Sequence, residues 1–540
     1  MKILKYTFLL LVFLASTLTV IAQNALLHFD KEFYVTGEVM WYKLYLPDSD
    51  DKEVAVVQVL ISDREGAVKD EFYLQASKEG HIEGYYKIPF DFASDYYRLS
   101  ILATDDSEKL IVSAVLPIYN DLNKATTATG TLPVLNEAIV VDDLQVELSL
   151  NKNQYSPREA VRASVLVKDS NGKPVKAKVS VAVTDESLAG KDLLIGGTAP
   201  LNIGTNVRVK GTLLNAEGVP SRASVLGMYS SIEDRVFYSS ADEEGQFDMK
   251  PPLFYGERPV QFIGYQFEHM DIGIEMKEHQ MPPIEQALIY SQEVLDYLAL
   301  SQKRKKIFQI YTALETQLEP EQIDYDVQDL EPIFTYVIDE YESFEYMRDF
   351  FGELITPLKF ILKEDSTYRA QLYNPSGLYD ANTVLSGDPL FIIDGKLTRD
   401  ADFVARMDMD YIETIALMYR PENLRKKFKA IGRSGVVKMT TNLRNVNISE
   451  KDNADVFTIN GLQPQADFPE FVPNSLPSGQ PFFRPQLYWN PNLKTGANGK
   501  ADFTFYQSDD VSNYTIRVVV QDEKGDFGKG TKTYEVKVKE

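Results

Sequence analysis

The sequence predicts a mainly β protein that consists of tandem β-sandwiches, a helical connector and one small α+β domain. Short runs in which apolar and polar residues alternate, rich in Tyr, Phe and Val, recur between turn residues, which is typical of strands in sandwiches. One stretch without Gly or Pro, residues 284–316, instead carries apolar residues at helical spacing. The length of 540 residues accommodates about three to five domains. A single core is therefore not expected.

Composition narrows the function classes. The chain has 56 basic and 80 acidic residues and a formal net charge of -24, so it repels the phosphate backbone of nucleic acids. It contains no cysteine, which excludes disulfides, thiol nucleophiles and cysteine-based zinc sites. We therefore expect no nucleic acid partner.

The N-terminal residues 1–22 have the pattern of a secretory signal peptide. Lys2 and Lys5 precede an apolar run over residues 6–20, and the small residue Ala22 marks the expected cleavage edge. A single membrane anchor is the alternative, but the run is shorter than the ~20 apolar residues that span a bilayer. We expect the chain to be exported. Because it lacks a cysteine for a lipid anchor, we expect it to reach a membrane only through a protein partner.

Residues 23–120 are predicted to form the first β-sandwich. Alternating segments such as 39–46 and 96–102 are separated by turns at the spacing of a domain of about 100 residues. The opening of this block, residues 29–38 (FDKEFYVTGE), resembles the start of a macroglobulin domain of the alpha-2-macroglobulin superfamily. The resemblance implies an immunoglobulin-like macroglobulin sandwich in which the Tyr and the Gly-Glu turn precede the first long strand.

A second block repeats this arrangement. Tyr155 is followed by Pro-Arg-Glu before an alternating strand, as Tyr34 is followed by Gly-Glu, which indicates an internal repeat. We predict a second macroglobulin-like sandwich over residues 141–200. Residues 486–540 resemble the strands that open the alpha-2-macroglobulin domain itself, and segment 481–540 is a candidate to complete the second sandwich. The thioester of that family needs a cysteine, so covalent trapping of proteases is excluded.

A third β block, a helix and a linker are predicted elsewhere. Residues 205–275 resemble the carboxypeptidase-regulatory-like sandwich, which carries no peptidase chemistry. Residues 282–330 are predicted to be a helical connector with its helix over 284–316. Its basic cluster 303–306 (KRKK) is interpreted as a solvated helix face, with a partner-binding patch as the alternative. Residues 444–485, rich in Pro and Asn, are predicted to be a linker.

Residues 333–443 are predicted to be a small α+β domain. The expected order is a helix over 343–361, the strand and turn Leu390–Gly395, a helix over 409–418, and the turn Gly432–Gly435 before a last strand. This order resembles the plug domain of TonB-dependent outer-membrane receptors. The Asp-Gly pair supplies a tight turn with positive φ, and the second Gly of the Gly-x-x-Gly turn permits close backbone approach.

The chain departs from such receptors in two ways. A receptor of that class continues from its plug into a large β-barrel, whereas 99 residues follow Thr441 here. No segment near the expected mature N-terminus resembles a TonB box. We therefore expect a plug-like domain without its own pore, which does not carry out energy-coupled transport by itself.

Candidate catalytic and metal-binding residues are few. The four histidines are His28, His81, His269 and His279. His269 and His279, with the acidic residues between them, do not follow the spacing of a metal-binding pair on a helix face. Acidic runs such as residues 48–51 do not reproduce a calcium loop. No nucleophile elbow, phosphate loop or dinucleotide fingerprint occurs. We predict no catalytic residue, no metal site and no cofactor.

Three hypotheses about function follow from these patterns. The first is a non-enzymatic exported binding or assembly subunit that docks its plug-like and β-sandwich domains onto an outer-membrane β-barrel protein, similar to a TonB-dependent transporter, or onto its complex. We expect it in the periplasm or at the cell surface of a Gram-negative bacterium, associated with the outer membrane. The alternatives are a macroglobulin-like protease-interacting protein, with residues 445–485 as an exposed bait segment, and a hydrolase with an unrecognised site.

Eight residues are the candidate contacts of the docking interaction. They are Leu390, Phe391, Asp394, Gly395, Gly432, Gly435, Phe482 and Phe483. The first four form the strand and its turn, the next two the glycine turn, and the last two are aromatic residues of the linker. Exposed sheet edges accept an added strand, which is the binding mode expected for such elements. A purely structural role of the first six residues stays open.

Overall fold

A computed structural model describes most of the chain. The described residues are 23–46, 54–78, 80–122, 143–186, 194–200, 202–264, 272–311, 332, 334–342, 344–354, 357–374, 383–385, 387–419, 424, 427–429, 431–442, 456–473 and 479–538. The predicted signal peptide lies outside them. The chain divides into two compact units: unit 1 contains Met1–Asn206, His279–Gln322 and Leu462–Glu540, and unit 2 contains Val207–Glu278 and Ile323–Gly461. Both units are mainly β, which confirms the predicted fold class.

The elements below are numbered in chain order. The strands are β1 (Gln23–Phe29), β2 (Tyr34–Val35), β3 (Val39–Tyr45), β4 (Val56–Ser62), β5 (Val68–Gln75), β6 (His81–Lys87), β7 (Asp95–Ala103), β8 (Leu110–Tyr119), β9 (Gln145–Leu150), β10 (Gln154–Tyr155), β11 (Ala160–Lys168), β12 (Ala177–Asp185), β13 (Leu194–Ala199), β14 (Val209–Leu214), β15 (Ala223–Ser230), β16 (Arg235–Ala241), β17 (Gln246–Met249), β18 (Glu257–Gly264), β19 (Gly273–Met276), β20 (Phe334–Val337), β21 (Leu358–Leu362), β22 (Tyr368–Asn374), β23 (Thr383–Val384), β24 (Leu390–Ile393), β25 (Lys396–Thr398), β26 (Ile412–Met418), β27 (Val436–Thr441), β28 (Phe457–Asn460), β29 (Gln486–Lys494), β30 (Lys500–Tyr506), β31 (Asn513–Asp522) and β32 (Phe527–Val536). The α-helices are α1 (Gln292–Tyr311), α2 (Met347–Glu353) and α3 (Ala401–Ala405).

The first sandwich of unit 1 packs two sheets around one core. Their strand orders are β13-β1-β3-β6 and β2-β8-β7-β4-β5. Strand β13 lies in the range predicted for the second sandwich, but it pairs antiparallel with β1. Ile195 and Ala199 of β13 reach the first core. Gly197 makes the approach possible, because a Cβ atom there would lie 2.2 Å from the carbonyl oxygen of Ile111. The structure therefore places Leu194–Ala199 in the first sandwich.

The second sandwich of unit 1 is assembled from two distant parts of the sequence. Its sheets have the strand orders β30-β11-β9 and β10-β32-β31-β12-β29. Strand β12 lies between β29 and β31, so that Val181 pairs with Asn490 on one side and with Val518 on the other. Valines that alternate along β11 and β12 fill the core. The segment from Gln486 onwards thus completes the sandwich that β9 to β12 begin.

A buried polar seam joins the two sandwiches of unit 1; it consists of His28, Asp30, Tyr45, Ser180 and Arg517. Nδ1 of His28 lies 2.6 Å from Oγ of Ser180, and the Tyr45 hydroxyl donates to the same oxygen over 2.8 Å. The Arg517 guanidinium donates to the backbone carbonyl of Asp30 over 3.1 Å. Buried polar groups are costly unless hydrogen-bonded, so these bonds favour one relative placement of the two sandwiches.

Burial shifts the acid–base behaviour of the seam. Burial, reinforced by the positive charges of Arg517 and Lys43, lowers the pKa of His28 from 6.5 to about 3. Burial raises the pKa of Asp30 from 3.8 to about 6, although the Lys31 ammonium opposes the shift. The folded protein therefore holds the His28 imidazole in its neutral form.

We expect acid to destabilise unit 1 through His28. Below pH 6.5 the unfolded chain binds a proton that the folded imidazole takes up only near pH 3, so this site lowers the free energy of unfolding by about 1.4 kcal/mol per pH unit. The Asp30 carboxyl acts in the opposite sense between pH 3.8 and about 6. Urea denaturation of the wild type and of His28→Gln between about pH 4.5 and 6.5 isolates the histidine, because the variant should lose less stability on acidification. Equal losses in both proteins would contradict the assignment.

The helical connector begins later than predicted. Residues 284–291 are not helical, and α1 starts at Gln292. The reason is backbone pairing with the first sandwich: the amide of Ile284 donates to the Arg64 carbonyl over 2.8 Å, and the amide of Met281 donates to the Gly66 carbonyl over 2.9 Å. Helix α1 then packs on the same sandwich through a cluster that includes Tyr290, Val294 and Tyr297. The end of the predicted helix and connector, 312–330, lies outside the described residues.

Unit 2 contains a seven-stranded sheet with the order β19-β14-β17-β16-β15-β18-β28. Most of it comes from the third β block, but β28 belongs to the predicted linker, which is therefore not a linker throughout. Arg258 of β18 pairs with Ile459 of β28. Phe457 packs edge-to-face on Phe262 with ring centroids 5.6 Å apart. The alternating Phe457 and Ile459 are the apolar residues that make this segment a strand.

Residues 333–443, called the α+β block below, form a mixed sheet with the order β20-β26-β27-β24-β25 and a smaller sheet, β21-β22-β23. Two predicted helices in this block are wrong. The described residues of the range 343–361 form the short helix α2 and then strand β21, since Pro357 lacks the amide hydrogen that a continuing helix needs. The range 409–418 contains one 3₁₀ turn and then β26, which pairs with both β20 and β27.

Candidate functional site

Strand β24 carries the first predicted contact residues, and both of its faces are buried. Phe391 and Ile393 pack into one core together with α2 and α3. Leu390 and Ile392 pack into a second core, which includes Tyr229 from the seven-stranded sheet. Leu390 and Phe391 are both 0% exposed. These two side chains hold the α+β block together and are not on the surface of the protein.

The turn after β24 is conformationally special. Asp394 has φ +48° and Gly395 has φ +81°, the left-handed conformation of a tight hairpin turn. The Asp394 carboxylate accepts hydrogen bonds from the backbone amide of Thr441 over 2.9 Å and from its hydroxyl over 2.5 Å. Asp394 therefore fastens the turn to the end of β27.

The glycine turn has a similar structural role. Gly435 has φ +94°, and a Cβ atom there would lie 2.3 Å from Cδ1 of Leu372. A Cβ atom at Gly432 would lie 2.5 Å from Cβ of Phe428. Both glycines are needed for close packing inside the block.

One exposed feature of the α+β block is the edge strand β20, whose residues are not among the predicted contacts. Among the described residues β20 pairs only with β26, and no described strand covers its other edge. Phe334 and Val337 are 44% and 41% exposed. Tyr336 links Phe334 to Tyr341, with ring centroids 6.3 Å apart in each pair. The alternating aromatic and β-branched residues of this strand are the signal that was available in the sequence.

Unit 1 contains a cavity of about 200 Å³. Three parts of the chain form it: the first sandwich, α1, and residues 468–469 with 482–486. Phe482 and Phe483, the two linker residues predicted as contacts, both line it. The complete lining is Lys31, Gly37, Glu38, Val39, Trp41, Lys87, Phe90, Tyr297, Ser301, Arg304, Lys305, Phe468, Pro469, Phe482, Phe483, Arg484, Pro485 and Gln486.

One side of the cavity is aromatic. The ring of Trp41 lies 5.6 Å from that of Phe468, centroid to centroid. Phe482 stacks on Phe471, and Cζ of Arg484 lies 4.6 Å from the centroid of Phe468. The guanidinium of Arg484 thus lies on an aromatic face at the cavity wall.

The other side is rich in cations, and most of them are paired. Lys31 Nζ lies 2.7 Å from Oε2 of Glu38, and the Tyr297 hydroxyl donates to Oε1 of Glu38 over 2.6 Å. Burial alone would raise the pKa of Glu38, but the Lys31 ammonium and these hydrogen bonds outweigh it and hold the pKa below its usual value. Lys305 pairs with Asp121 over 2.7 Å. Glu38 is therefore a paired carboxylate.

Arg304 and Arg484 are joined through Asp510. Nη2 of Arg304 lies 3.1 Å from one carboxylate oxygen of Asp510, and the other oxygen accepts the backbone amide of Arg484 over 2.9 Å. Nε and Nη1 of Arg304 are buried and have no acceptor in the described part of the chain. The basic cluster 303–306 is thus not a solvated face throughout, because Arg304 is buried.

Arg484 differs from the paired cations of the lining because no carboxylate lies beside its guanidinium in the described part of the chain. Its side chain makes one hydrogen bond, from Nη1 to the Pro469 carbonyl over 2.7 Å, and no ion pair within the described ranges. Burial lowers its pKa from 12.5 to about 10. Lys87, at the exposed side of the cavity, likewise has no carboxylate partner where the structure is described. The cavity therefore presents two cations that no carboxylate of the described chain neutralises.

The lining contains few of the side chains that act as nucleophiles, general bases or metal ligands. The hydroxyls of the lining belong to Tyr297 and Ser301, and both are engaged: Tyr297 donates to Glu38, and Ser301 donates to Asp121 over 2.9 Å. No histidine lies among these lining residues. Within the described residues no group of three His, Asp or Glu side chains is placed to hold a metal ion. The same part of the chain contains no helix with the length and hydropathy to span a bilayer.

Comparisons with known proteins find only distant likeness. No protein-family profile and no curated protein sequence match the chain. Among solved structures, elastase-activated Escherichia coli alpha-2-macroglobulin aligns with 95% of this chain and 44% of its own at 8% identity and a TM-score of 0.24. The native conformation of E. coli alpha-2-macroglobulin aligns with 96% of this chain and 40% of its own, again at 8% and 0.24. The D0-D1 domain of intimin aligns with 45% of this chain and 93% of its own at 11% and 0.14. The chain spans less than half the length of the alpha-2-macroglobulins, and these scores assign it to no family.

We expect the Lys31–Glu38 pair to matter for stability because it is largely buried. Lys31→Met leaves the Glu38 carboxylate without its cation, which should lower the free energy of unfolding by about 3 kcal/mol. The double variant Lys31→Met/Glu38→Gln removes both charges and should recover part of that loss. Urea denaturation at neutral pH measures both effects.

The matched control breaks an exposed pair of the same type. Lys69 Nζ lies 2.7 Å from Asp63, and the Lys69 side chain is 43% exposed. Lys69→Met should cost less than about 1 kcal/mol. A loss for Lys31→Met no larger than that of this control would show that the buried pair does not stabilise the fold.

Proposed function

We propose that this chain is a non-enzymatic exported binding or assembly subunit. In this proposal the α+β block docks onto an outer-membrane β-barrel protein, similar to a TonB-dependent transporter, or onto its complex. The observation that carries the proposal is the apolar edge of β20, which no described strand covers. The candidate contacts of the strand β24 and the two turns take an indirect part, because they shape the block that presents this edge.

A free strand edge offers a row of backbone donors and acceptors that another strand complements. Proteins usually protect such edges with charged side chains, Pro or bulges. Strand β20 instead exposes Phe334 and Val337, next to the exposed Tyr341. Main-chain pairing and apolar contact are therefore available at the same place.

The charge around the edge favours a basic occupant. Asp339, Glu340 and Glu342 follow β20 and are exposed. We infer that the partner supplies an extended segment flanked by Lys or Arg, from a part of the barrel protein that lies outside the bilayer. With a net charge of -24, nucleic acid is not a partner in this proposal.

Export and membrane association complete the proposal. The pattern of residues 1–22 supports export to the periplasm or the cell surface. Contact with the outer membrane comes through the protein partner. The bait-segment alternative is not adopted, because described parts of 445–485 form strand β28 and the wall of the cavity.

The test is co-purification of the full-length protein from native membranes after mild detergent extraction, with identification of the bound chains. We expect a β-barrel outer-membrane protein with the wild type. The double variant Phe334→Lys/Val337→Lys places two ammonium groups on the edge and should reduce recovery of that partner by at least about tenfold.

The control is Leu362→Lys, which adds one ammonium group at an exposed leucine of β21 in the same block. It should leave recovery of the barrel protein unchanged. Finding the wild type only as a monomer in the soluble periplasmic fraction would refute docking. Equal recovery with the double variant would refute the role of β20.

A further inference from the structure

We propose that the cavity of unit 1 binds a small aromatic carboxylate, that is, a ring-sized apolar group that carries one carboxylate. This site lies in unit 1 and is independent of the docking proposal, which concerns unit 2. Phe482 and Phe483 then contribute to a ligand site.

The charge of the lining favours a single anion. Three of its five cations are paired: Lys31 with Glu38, Lys305 with Asp121 and Arg304 with Asp510. Arg484 and Lys87 have no such partner among the described residues. In a protein with 80 acidic and 56 basic residues, a pocket with this local excess of positive charge is unusual.

The geometry of Arg484 favours a carboxylate. A guanidinium presents planar pairs of N–H donors that match the two oxygens of a carboxylate. The Phe468 ring and the Pro469 carbonyl hold the guanidinium of Arg484 in place, so little conformational entropy is lost on binding. Arg304, which pairs with the same Asp510 that accepts the Arg484 amide, is 6% exposed at its side chain and has two donors without an acceptor in the described chain. The positive charge of the buried Arg304 thus further favours the binding of an anion in the cavity.

The size and wall of the cavity favour an aromatic ring as the apolar group. An apolar cavity of about 150 Å³ holds a benzene molecule. The cavity here, at about 200 Å³, leaves room for a ring and a carboxylate but not for a drug-sized ligand. Trp41, Phe482 and Phe483 supply aromatic surface, against which a ring packs edge-to-face or offset.

Two sources supply this chemistry: a free small acid, or the C-terminal residue of a peptide chain when that residue is aromatic. Both present a ring a few bonds from a carboxylate. Phenylacetate represents the free acid, and a tetrapeptide that ends in Phe with a free carboxylate represents the chain end. Binding of phenylacetate alone indicates the small acid, and tighter binding of the peptide indicates the chain end; either result supports the site.

Fluorescence of Trp41 provides the readout. The chain has two tryptophans, Trp41 in the cavity wall and Trp489 outside the lining. In full-length Trp489→Phe, Trp41 is the sole reporter. We expect phenylacetate or the peptide to change the emission of Trp41 saturably, and N-acetylphenylalanine, which has both a ring and a carboxylate, to do the same. N-acetylphenylalanine amide lacks the carboxylate and N-acetylalanine lacks the ring, so each should bind at least about tenfold more weakly.

The variant Arg484→Met keeps the volume of the side chain and removes its charge, and should weaken binding by about 10- to 100-fold. Lys87 is exposed, so Lys87→Met should weaken binding less. It is the second test variant and replaces Arg484→Met if that protein does not fold. Arg235→Met is the control, since Arg235 also lies over an aromatic ring, 5.3 Å from the Phe237 centroid, but in unit 2. The proposal is overturned if no probe saturates below about 10 mM, if the amide binds as well as the acid, or if both cavity variants bind like the wild type.

Discussion

The antiparallel pairing of β12 with β29 and β31 is the constraint on which unit 1 depends. Because β29 must reach one edge of β12, described residues that precede it, 468–469 and 482–485, lie beside the first sandwich and α1. This placement brings Phe482 and Arg484 next to Trp41 and the helix. The cavity is therefore a product of long-range strand pairing, and none of its three walls forms it alone.

The polar seam explains why the two sandwiches of unit 1 meet in a defined way. A purely apolar interface tolerates sliding, whereas hydrogen bonds between buried groups depend on direction and distance. Lys43 adds a bond from its ammonium to the Pro491 carbonyl over 2.5 Å, at the start of the chain that completes the second sandwich. Trp41 and Trp489 pack in one cluster beside this contact. The polar contacts thus set the position of the aromatic wall of the cavity.

The local sequence pattern was sufficient to predict strands where a segment pairs with segments close to it in the chain. The strands of the first sandwich are short runs rich in β-branched and aromatic residues between turns, and these runs predict the mainly β class. Ile412 and Ile415 were misassigned because a spacing of three fits a helix as well as one face of an irregular strand, and only pairing with β20 and β27 decides. Phe457 and Ile459 were assigned to a linker because their partner strand β18 is about 200 residues away in the chain.

The candidate site shows the same limit. Phe482 and Phe483 were identified as residues of interest from their type, but their surroundings were not predictable. The local sequence predicts Arg304 to be part of a solvated cluster, because nothing in it indicates that Asp510 lies 3.1 Å away in the fold. The burial of Leu390 and Phe391 on both faces of β24 also depends on a second sheet that packs against the block. Residue type was enough to select these side chains as candidates, whereas their burial and partners depend on long-range contacts in the fold.

The interleaved order of the segments has a consequence for biogenesis. Strand β12 ends at Asp185 and its neighbour β29 begins at Gln486. About 300 residues must therefore be synthesised before β12 can pair with β29 on one edge or with β31 on the other. During that interval the nascent chain carries unsatisfied valine-rich strands, which invite aggregation. Closure at such high contact order is slow. We therefore expect this protein to rely on a holding chaperone until β29 and β31 have been made.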